Sequence, residues 1–178
     1  MMRQTGWLVS MTTCVKQLLF AVFLCIGTML LGHAQSTDSA LKISPADERA
    51  ILHDAHLTRT GKYYKIRGCD DPVSVEMQMV DLNSDGNPEV ILTVSGSPCF
   101  SGLMQSNVSV YVKSSKGRWR DVLGFLPAFG VRIQPVKNKG YADLELTVLG
   151  GCDPVYRWSG YAYNYVARKS SYGQKCHN

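Results

Sequence analysis

The fold of this chain is set by a loop of nine residues, Asp81-Leu82-Asn83-Ser84-Asp85-Gly86-Asn87-Pro88-Glu89. Oxygen-bearing side chains recur at every second position, and Gly86 stands where such a loop must bend sharply. Ca²⁺ takes about six to eight oxygen ligands, which a tightly wound loop supplies from alternating positions. We therefore expect one Ca²⁺, held by the carbonyl of Asn87 and by the side chains of Asp81, Asn83, Asp85 and Glu89.

The residues on both sides of this loop have the pattern of strands. Val75, Met77 and Met79 alternate with polar residues before the loop, and the β-branched run 90–94 follows it. A helix-loop-helix calcium site would need a glutamate at the twelfth loop position, which here is Leu92. The sequence therefore predicts a β-hairpin with a cation at its tip. The alternative is a metal-free turn, since Asp, Asn and Gly favour turns through local hydrogen bonds.

Residues 1–34 have the pattern of a signal peptide. They contain no Asp or Glu, carry Arg3 and Lys16, and end in the small residues Gly32-His33-Ala34 after an apolar run. That run is too short to predict a membrane span. We expect cleavage after Ala34 and a periplasmic or secreted protein without a membrane span in its mature form. Because no small residue directly precedes Cys25, an unanchored form is favoured over a lipid-anchored one.

The remaining residues suit one compact domain. Residues 35–61 are expected to form an N-terminal segment with one helix, and residues 62–178 a calcium-binding β domain. Residues 35–106 carry 6 basic and 10 acidic side chains, whereas residues 107–178 carry 11 basic and 4 acidic ones. The second half is therefore a candidate surface for an anionic partner. No nucleic-acid-binding motif is present, so we expect no nucleic acid as partner.

The four cysteines outside the signal peptide predict two disulfides, as is usual for an exported domain. Three connectivities are possible. Cys69 and Cys99 lie symmetrically about Ser84, so the hairpin should bring them together at its open end. This favours Cys69–Cys99 and leaves Cys152–Cys176 to hold the C-terminal tail.

The rest of the chain reads as one helix followed by short strands. Ser44, Pro45 and Asp47 predict the start of a helix. Gly61 is its stop signal and comes a few residues after the expected end of the helix. His53 and His56 on this helix are interpreted as a solvated face. Strands are predicted at 63–67, 74–80, 89–95, 107–113, 118–124, 131–136, 143–148, 155–158 and 161–166. The expected class is mostly β, with antiparallel propeller-like sheets of short hairpins and one N-terminal helix.

An internal repeat supports this arrangement of hairpins. Residues 86–96 align with residues 140–150, and each copy soon reaches a cysteine. In the second copy, Lys137 and Lys139 stand where the first has Asn83 and Asp85. Lysine is not a ligand for Ca²⁺, so only the first copy is expected to bind the metal.

The loop and its following strand resemble the calcium loops of FG-GAP and VCBS-type propeller repeats. The wider pattern adds Cys99, Trp119, the stretch Asn138 to Leu144, and Tyr156-x-Trp158-x-Gly160-Tyr161. It resembles the periplasmic immunity proteins that protect bacteria from peptidoglycan-hydrolase effectors of killing type IV secretion systems. Those proteins have a propeller-like β topology similar to the PliI-type lysozyme inhibitors. The resemblance implies an exported inhibitor of a lysozyme-like peptidoglycan hydrolase.

The sequence also argues against an enzyme. Outside the predicted signal peptide, His53 and His56 lie on the helix and His177 in the tail, and no nucleophile motif or phosphate loop occurs. Asp70-Asp71 and Asp153 are explained better as turn caps than as a catalytic carboxylate pair.

Two binding functions remain. An inhibitor would enter a hydrolase cleft with rigid basic tips, for which the candidate contacts are Lys116, Arg118, Lys137 and Lys139. The alternative is a VCBS/FG-GAP-like module that binds a glycan or protein at the cell envelope through the stripe Tyr161/Tyr163/Tyr165. That stripe is expected to line one sheet face, where a place in the core is the favoured reading.

Overall fold

The computed structural model of this protein describes residues 42–102, 106–173 and 175–176. The predicted signal peptide, residues 1–34, lies outside that part of the chain. Within the described ranges, no helix is both long enough and apolar enough to cross a membrane.

The described residues form two helices and eleven strands. The helices are α1 (Pro45–Asp54) and α2 (Pro98–Ser101). The strands are β1 (Leu57–Thr60), β2 (Tyr63–Ile66), β3 (Ser74–Val80), β4 (Glu89–Ser95), β5 (Ser106–Lys113), β6 (Trp119–Asp121), β7 (Leu126–Pro127), β8 (Gly130–Asn138), β9 (Tyr141–Thr147), β10 (Cys152–Trp158) and β11 (Tyr163–Ser170).

All strand pairs are antiparallel, which confirms the predicted mostly β class. Strands β1 and β2 form a two-stranded sheet of their own. A five-stranded sheet has the order β3-β4-β5-β6, with β7 paired to β5, and a four-stranded sheet has the order β11-β10-β9-β8. Both larger sheets are open, and the described residues contain no closed barrel or propeller. The expected propeller-like arrangement is therefore not confirmed.

The predicted hairpin is present with the predicted strand limits. Strands β3 and β4 pair in continuous register from Ser74 opposite Ser95 to Val80 opposite Glu89. The alternation of Val75, Met77 and Met79 with polar residues places one row of apolar side chains against the core. The nine-residue loop therefore lies at the closed end of a regular hairpin.

The five-stranded sheet is covered on both faces. On one face it packs against α1 and the β1–β2 hairpin, and on the other against the four-stranded sheet. The first interface buries Ile51, Leu52, Leu57, Val73, Val90, Leu92, Val94 and Tyr111. The second buries Leu82, Ile91, Val108, Val110, Val122, Leu123, Ala128, Leu144, Leu146, Trp158 and Tyr163. Burial on both faces explains why β4 is a continuous apolar run and not an alternating one.

The internal repeat corresponds to the central strands of the two larger sheets. Strand β4 lies between β3 and β5, and β9 lies between β8 and β10. Val90 and Leu92 face α1, whereas their equivalents in the second copy, Leu144 and Leu146, face the five-stranded sheet. The two repeat units therefore stack in the same orientation, one behind the other.

The helix prediction was too long at its C-terminal end. Helix α1 begins as expected, with the Ser44 Oγ accepting the Asp47 N–H at 3.1 Å, but it ends at Asp54. Residues 57–60 instead form β1, because Leu57 is buried and the strand pairs with β2. Gly61, at a φ of 63°, is in the turn between these two strands. His56 therefore lies beyond the helix and does not share a helix face with His53.

Two further strand predictions need correction. Residues 118–124 were predicted as one strand, but β6 ends at Asp121. There the Asp121 carboxylate accepts the N–H groups of Leu123 and Gly124, each at 3.0 Å, and turns the chain. Strand β11 begins at Tyr163, because Ser159 accepts the N–H groups of Tyr161 and Ala162 in a turn before it.

Candidate functional site

The loop between β3 and β4 is wound around the carboxylate of Asp81. Its Oδ1 accepts the N–H groups of Ser84 at 2.6 Å and Asp85 at 3.2 Å, and its Oδ2 accepts that of Gly86 at 2.9 Å. These N–H groups, that of Gly86 most, hold the pKa of Asp81 below its usual value. Ser84 and Gly86 both adopt positive φ angles, of 65° and 84°. The glycine at this bend fits the sharp turn that the sequence predicted.

The remaining loop oxygens are also used by the chain itself. The Asn83 side-chain oxygen accepts the Asp85 N–H at 2.8 Å, and the Asp85 carboxylate accepts the Asn87 N–H at 2.7 Å. The Asn83 amide donates to the other Asp85 oxygen at 2.9 Å. These contacts give the loop a defined shape without an ion, as the metal-free alternative requires. They also bring the predicted ligand side chains together on one short segment.

Glu89 is a buried anion at the base of this loop. Its side chain is only 3% exposed, and its Oε2 accepts the Leu82 N–H at 2.8 Å. Its Oε1 lies 3.4 Å from the Tyr141 hydroxyl. Among the described residues, no cationic side chain forms an ion pair with it. Burial, and next the charges of Asp85 and Asp81, raise the pKa of Glu89.

The predicted metal ligands are close in sequence, but their charged side chains do not together form a metal-binding group. In the part of the chain that the structure describes, no three His, Cys, Asp or Glu side chains could together hold a metal ion. Glu89 is directed to Leu82 beneath the loop, so amide and carbonyl oxygens from Asn83 and Asn87 would have to contribute. The Ca²⁺ site remains a prediction.

Two further turns lie beside this loop. The Lys137 Nζ at the end of β8 donates to the Ser84 Oγ at 2.6 Å, and the Ala142 N–H donates to the Leu82 carbonyl at 2.9 Å. A cleft next to the loop is lined by Asp85, Asn87, Pro88 and Glu89, together with Lys113, Ser114, Ser115 and Tyr141. The β5–β6 and β8–β9 turns therefore adjoin the predicted metal loop.

The β10–β11 turn completes this end of the molecule. The Lys139 Nζ donates to the Ser159 carbonyl of that turn. The Arg120 guanidinium donates to the Tyr161 carbonyl at 2.6 Å and lies 3.9 Å from the centre of the Tyr161 ring. We call residues 81–88, 114–118, 137–140 and 159–162 the hairpin-tip surface.

All four predicted partner-binding residues lie on the hairpin-tip surface. Lys116 and Arg118 are exposed in the β5–β6 turn, whereas Lys137 and Lys139 are exposed but hydrogen-bonded to neighbouring turns. The sequence suggested these residues from charge alone. Their common position follows from the stacking of the two sheets.

The tyrosine stripe is not a single buried row, so that interpretation was wrong for two of its three members. Tyr163 is buried, with its hydroxyl donating to the Ala142 carbonyl at 3.0 Å. Tyr165 is half-exposed, and Tyr161 is 70% exposed because it precedes β11 in the turn. Only Tyr163 belongs to the core.

The outer face of the four-stranded sheet carries a charge network that sequence reasoning missed. The buried carboxylates of Asp143 and Glu145 alternate with Leu144 and Leu146 along β9. The Asp143 carboxylate accepts the Arg157 Nε–H at 3.1 Å on Oδ1 and the Arg157 Nη2–H at 2.6 Å on Oδ2, and Glu145 pairs with Arg132 and Lys169. The alternation itself was the available signal, because it identifies a strand with one polar face.

The cysteines and Asp153 agree with the sequence interpretation. The structure contains the disulfides Cys69–Cys99 and Cys152–Cys176, with Cα–Cα distances of 6.0 and 5.6 Å. Two disulfides are consistent with an exported protein. Asp153 caps its turn by accepting the Val148 N–H at 2.9 Å.

Comparison with known proteins identifies no relative: no protein family, curated protein or solved structure matches this chain. The described residues define a structural class, a disulfide-bonded protein of stacked antiparallel β-sheets with the helix α1 and the one-turn helix α2.

Proposed function

We propose that this chain is an exported, calcium-stabilised binding protein that inhibits a lysozyme-like peptidoglycan hydrolase in the periplasm. The observation that carries the proposal is the convergence of four turns on the hairpin-tip surface, where exposed basic side chains lie at the same end of the molecule as the predicted metal loop. A rigid protruding surface can enter a cleft with little loss of conformational entropy.

The donor set fits a hard cation. Carboxylate, amide and carbonyl oxygens are the ligands that Ca²⁺ prefers, and Asp81, Asn83, Asp85, Asn87 and Glu89 offer only these. The buried Glu89 carboxylate lacks a cationic side-chain partner among the described residues, so a bound cation would offset the cost of burying its charge. The ion would supply positive charge to the loop and hold its shape. Its role would be structural.

The charge of the hairpin-tip surface suits an acidic partner. Lys116 and Arg118 extend from the β5–β6 turn. Lys137 adds a positive charge at the loop, and Lys139 adds one at the β10–β11 turn. Hydrolases that cleave glycans use carboxylates in an open cleft, and those carboxylates would attract this surface. The protein would act by occupying the cleft and would carry out no reaction of its own.

The experiment is lysis of peptidoglycan by a lysozyme-like hydrolase, with and without the purified protein. The double variant Lys116→Glu/Arg118→Glu should weaken inhibition roughly tenfold, mainly through a slower association rate. Lys175→Glu is the matched control, because Lys175 lies beside Cys176 at the opposite end of β10 from the β10–β11 turn. Undiminished lysis at several-fold molar excess, with no complex on size-exclusion chromatography, would refute the inhibitor function.

One observation favours the second candidate, a module that binds a glycan or protein at the cell envelope. Tyr161 presents a largely exposed ring on the same surface, held by Arg120. Exposed aromatic rings stack on sugars. Binding of peptidoglycan fragments without any effect on the hydrolase, lost in Tyr161→Ala, would support this function instead.

A further inference from the structure

The second repeat unit contributes a charged side chain to the loop of the first. At the repeat spacing, Lys137 stands where the first unit has the predicted ligand Asn83. Its Nζ does not remain in its own turn but reaches the Ser84 Oγ at 2.6 Å. The unit that lacks a metal loop therefore places an ammonium group against the predicted metal loop of the other.

The backbone holds Lys137 in this position. Lys137 pairs with Ala142 in the β8–β9 ladder, and the Ala142 N–H donates to the Leu82 carbonyl at 2.9 Å. Leu82 directly follows Asp81, the residue around which the loop is wound. The Lys137 side chain is thus fixed at both ends, at its backbone by the strand pairing and at its ammonium by the hydrogen bond to Ser84.

We propose that Lys137 is an affinity-determining residue of the loop, an internal counter-charge that weakens the binding of a divalent cation. The inference rests on the cation site of the proposed function. It adds to that function a residue of the same chain that lowers the affinity of the loop for the ion.

The physical reason is the balance of charge at the loop. Asp81 and Asp85 are exposed carboxylates on either side of Ser84, and Lys137 offsets part of their charge. In the described chain Lys137 makes no direct ion pair with a carboxylate, so its effect acts through space and is reduced by salt. Removing one positive charge near a divalent ion at an exposed site should tighten binding on the order of fivefold.

The test is calorimetric titration of Ca²⁺ into the purified protein and into three variants at low ionic strength. Lys137→Met should lower the Kd about fivefold, and the difference should shrink in about 0.5 M salt. Lys137→Arg keeps the charge and should keep the Kd of the wild type. Lys139→Met is the matched control, because Lys139 lies in the same turn but its ammonium bonds to Ser159 and not to the loop.

The outcomes separate this inference from the proposed function. If the wild type does not bind Ca²⁺ at all, both the cation site and the role of Lys137 are contradicted. If the wild type binds Ca²⁺ and Lys137→Met leaves the Kd unchanged, the inference alone fails. An equal effect of Lys139→Met would also overturn it, since the effect would then come from the general charge of the surface. Thermal melting of each variant checks that it is folded.

Discussion

Replacing Glu89 by Gln should have different effects on stability with and without Ca²⁺. The wild-type carboxylate is buried, near the charges of Asp81 and Asp85, and has no cationic side-chain partner among the described residues. Glutamine keeps the shape and can still accept the Leu82 N–H. In chelator the neutral side chain should therefore stabilise the protein, by about 1 kcal/mol, because the cost of a buried charge exceeds the loss of a charged hydrogen bond.

With Ca²⁺ the same substitution would remove one of the three carboxylates of the predicted ligand set. At a Ca²⁺ concentration of about 100 times the wild-type Kd, binding stabilises the wild type by about 2.7 kcal/mol. A roughly tenfold loss of affinity leaves the variant with about 1.4 kcal/mol from the same ion concentration. The stabilisation by Ca²⁺ should therefore fall to about half.

Urea unfolding in Ca²⁺ and in chelator measures both quantities. Glu76→Gln is the matched control, since Glu76 is an exposed carboxylate on β3 of the same hairpin. It should change neither value. If Glu89→Gln alters stability by the same amount in both conditions, the ion does not interact with Glu89 and the assigned donor set is wrong.

Three further tests address the structure itself, each by urea unfolding. Cys69→Ser removes the Cys69–Cys99 disulfide, whose cysteines have a sequence separation of 30, so it should lower the free energy of unfolding by about 3–4 kcal/mol. Adding Cys99→Ser should lower it little further. Leu144→Ala in the interface between the sheets should cost about 2–5 kcal/mol. The pKa of Asp47 is lowered, mainly by its hydrogen bond with the Lys113 ammonium. The ionised carboxylate therefore stabilises the fold above the unfolded-state pKa, and this stabilisation is lost as the pH falls through the lower folded-state pKa. Asp47→Asn should therefore reduce the acid-induced loss of stability below about pH 4, and an unchanged pH dependence would contradict this role.

The β3–β4 hairpin could be predicted because its signals are local. The alternation before the loop, the apolar run after it and the sharp bend at Gly86 are all read from neighbouring residues. Once the loop is assigned, the antiparallel register follows, and with it the approach of Cys69 to Cys99.

The end of α1 and the strand β1 could not be predicted, because they depend on contacts between residues that are distant in the sequence. The sequence after Asp54 shows no helix stop before Gly61, yet the chain leaves the helix because Leu57 is buried and β1 pairs with β2. Tertiary contacts of this kind override local helix propensity.

The hairpin-tip surface was the least predictable feature. Lys137 and Ser84 are 53 residues apart, and their contact exists only because the two repeat units stack in one orientation. The repeat was visible in the sequence, but the direction of stacking depends on which face of each central strand is buried. Strand β4 is apolar on both faces and gives no indication of this.

The most direct test of the inhibitor function is hydrogen–deuterium exchange of the protein mixed with a lysozyme-like peptidoglycan hydrolase, in Ca²⁺. Inhibition through the hairpin-tip surface predicts that complex formation protects the loop 81–88 and the turns 114–118 and 137–140. Residues 148–151, at the opposite ends of β9 and β10, should exchange as in the free protein. Absence of a complex, or protection confined to that opposite end, would contradict it.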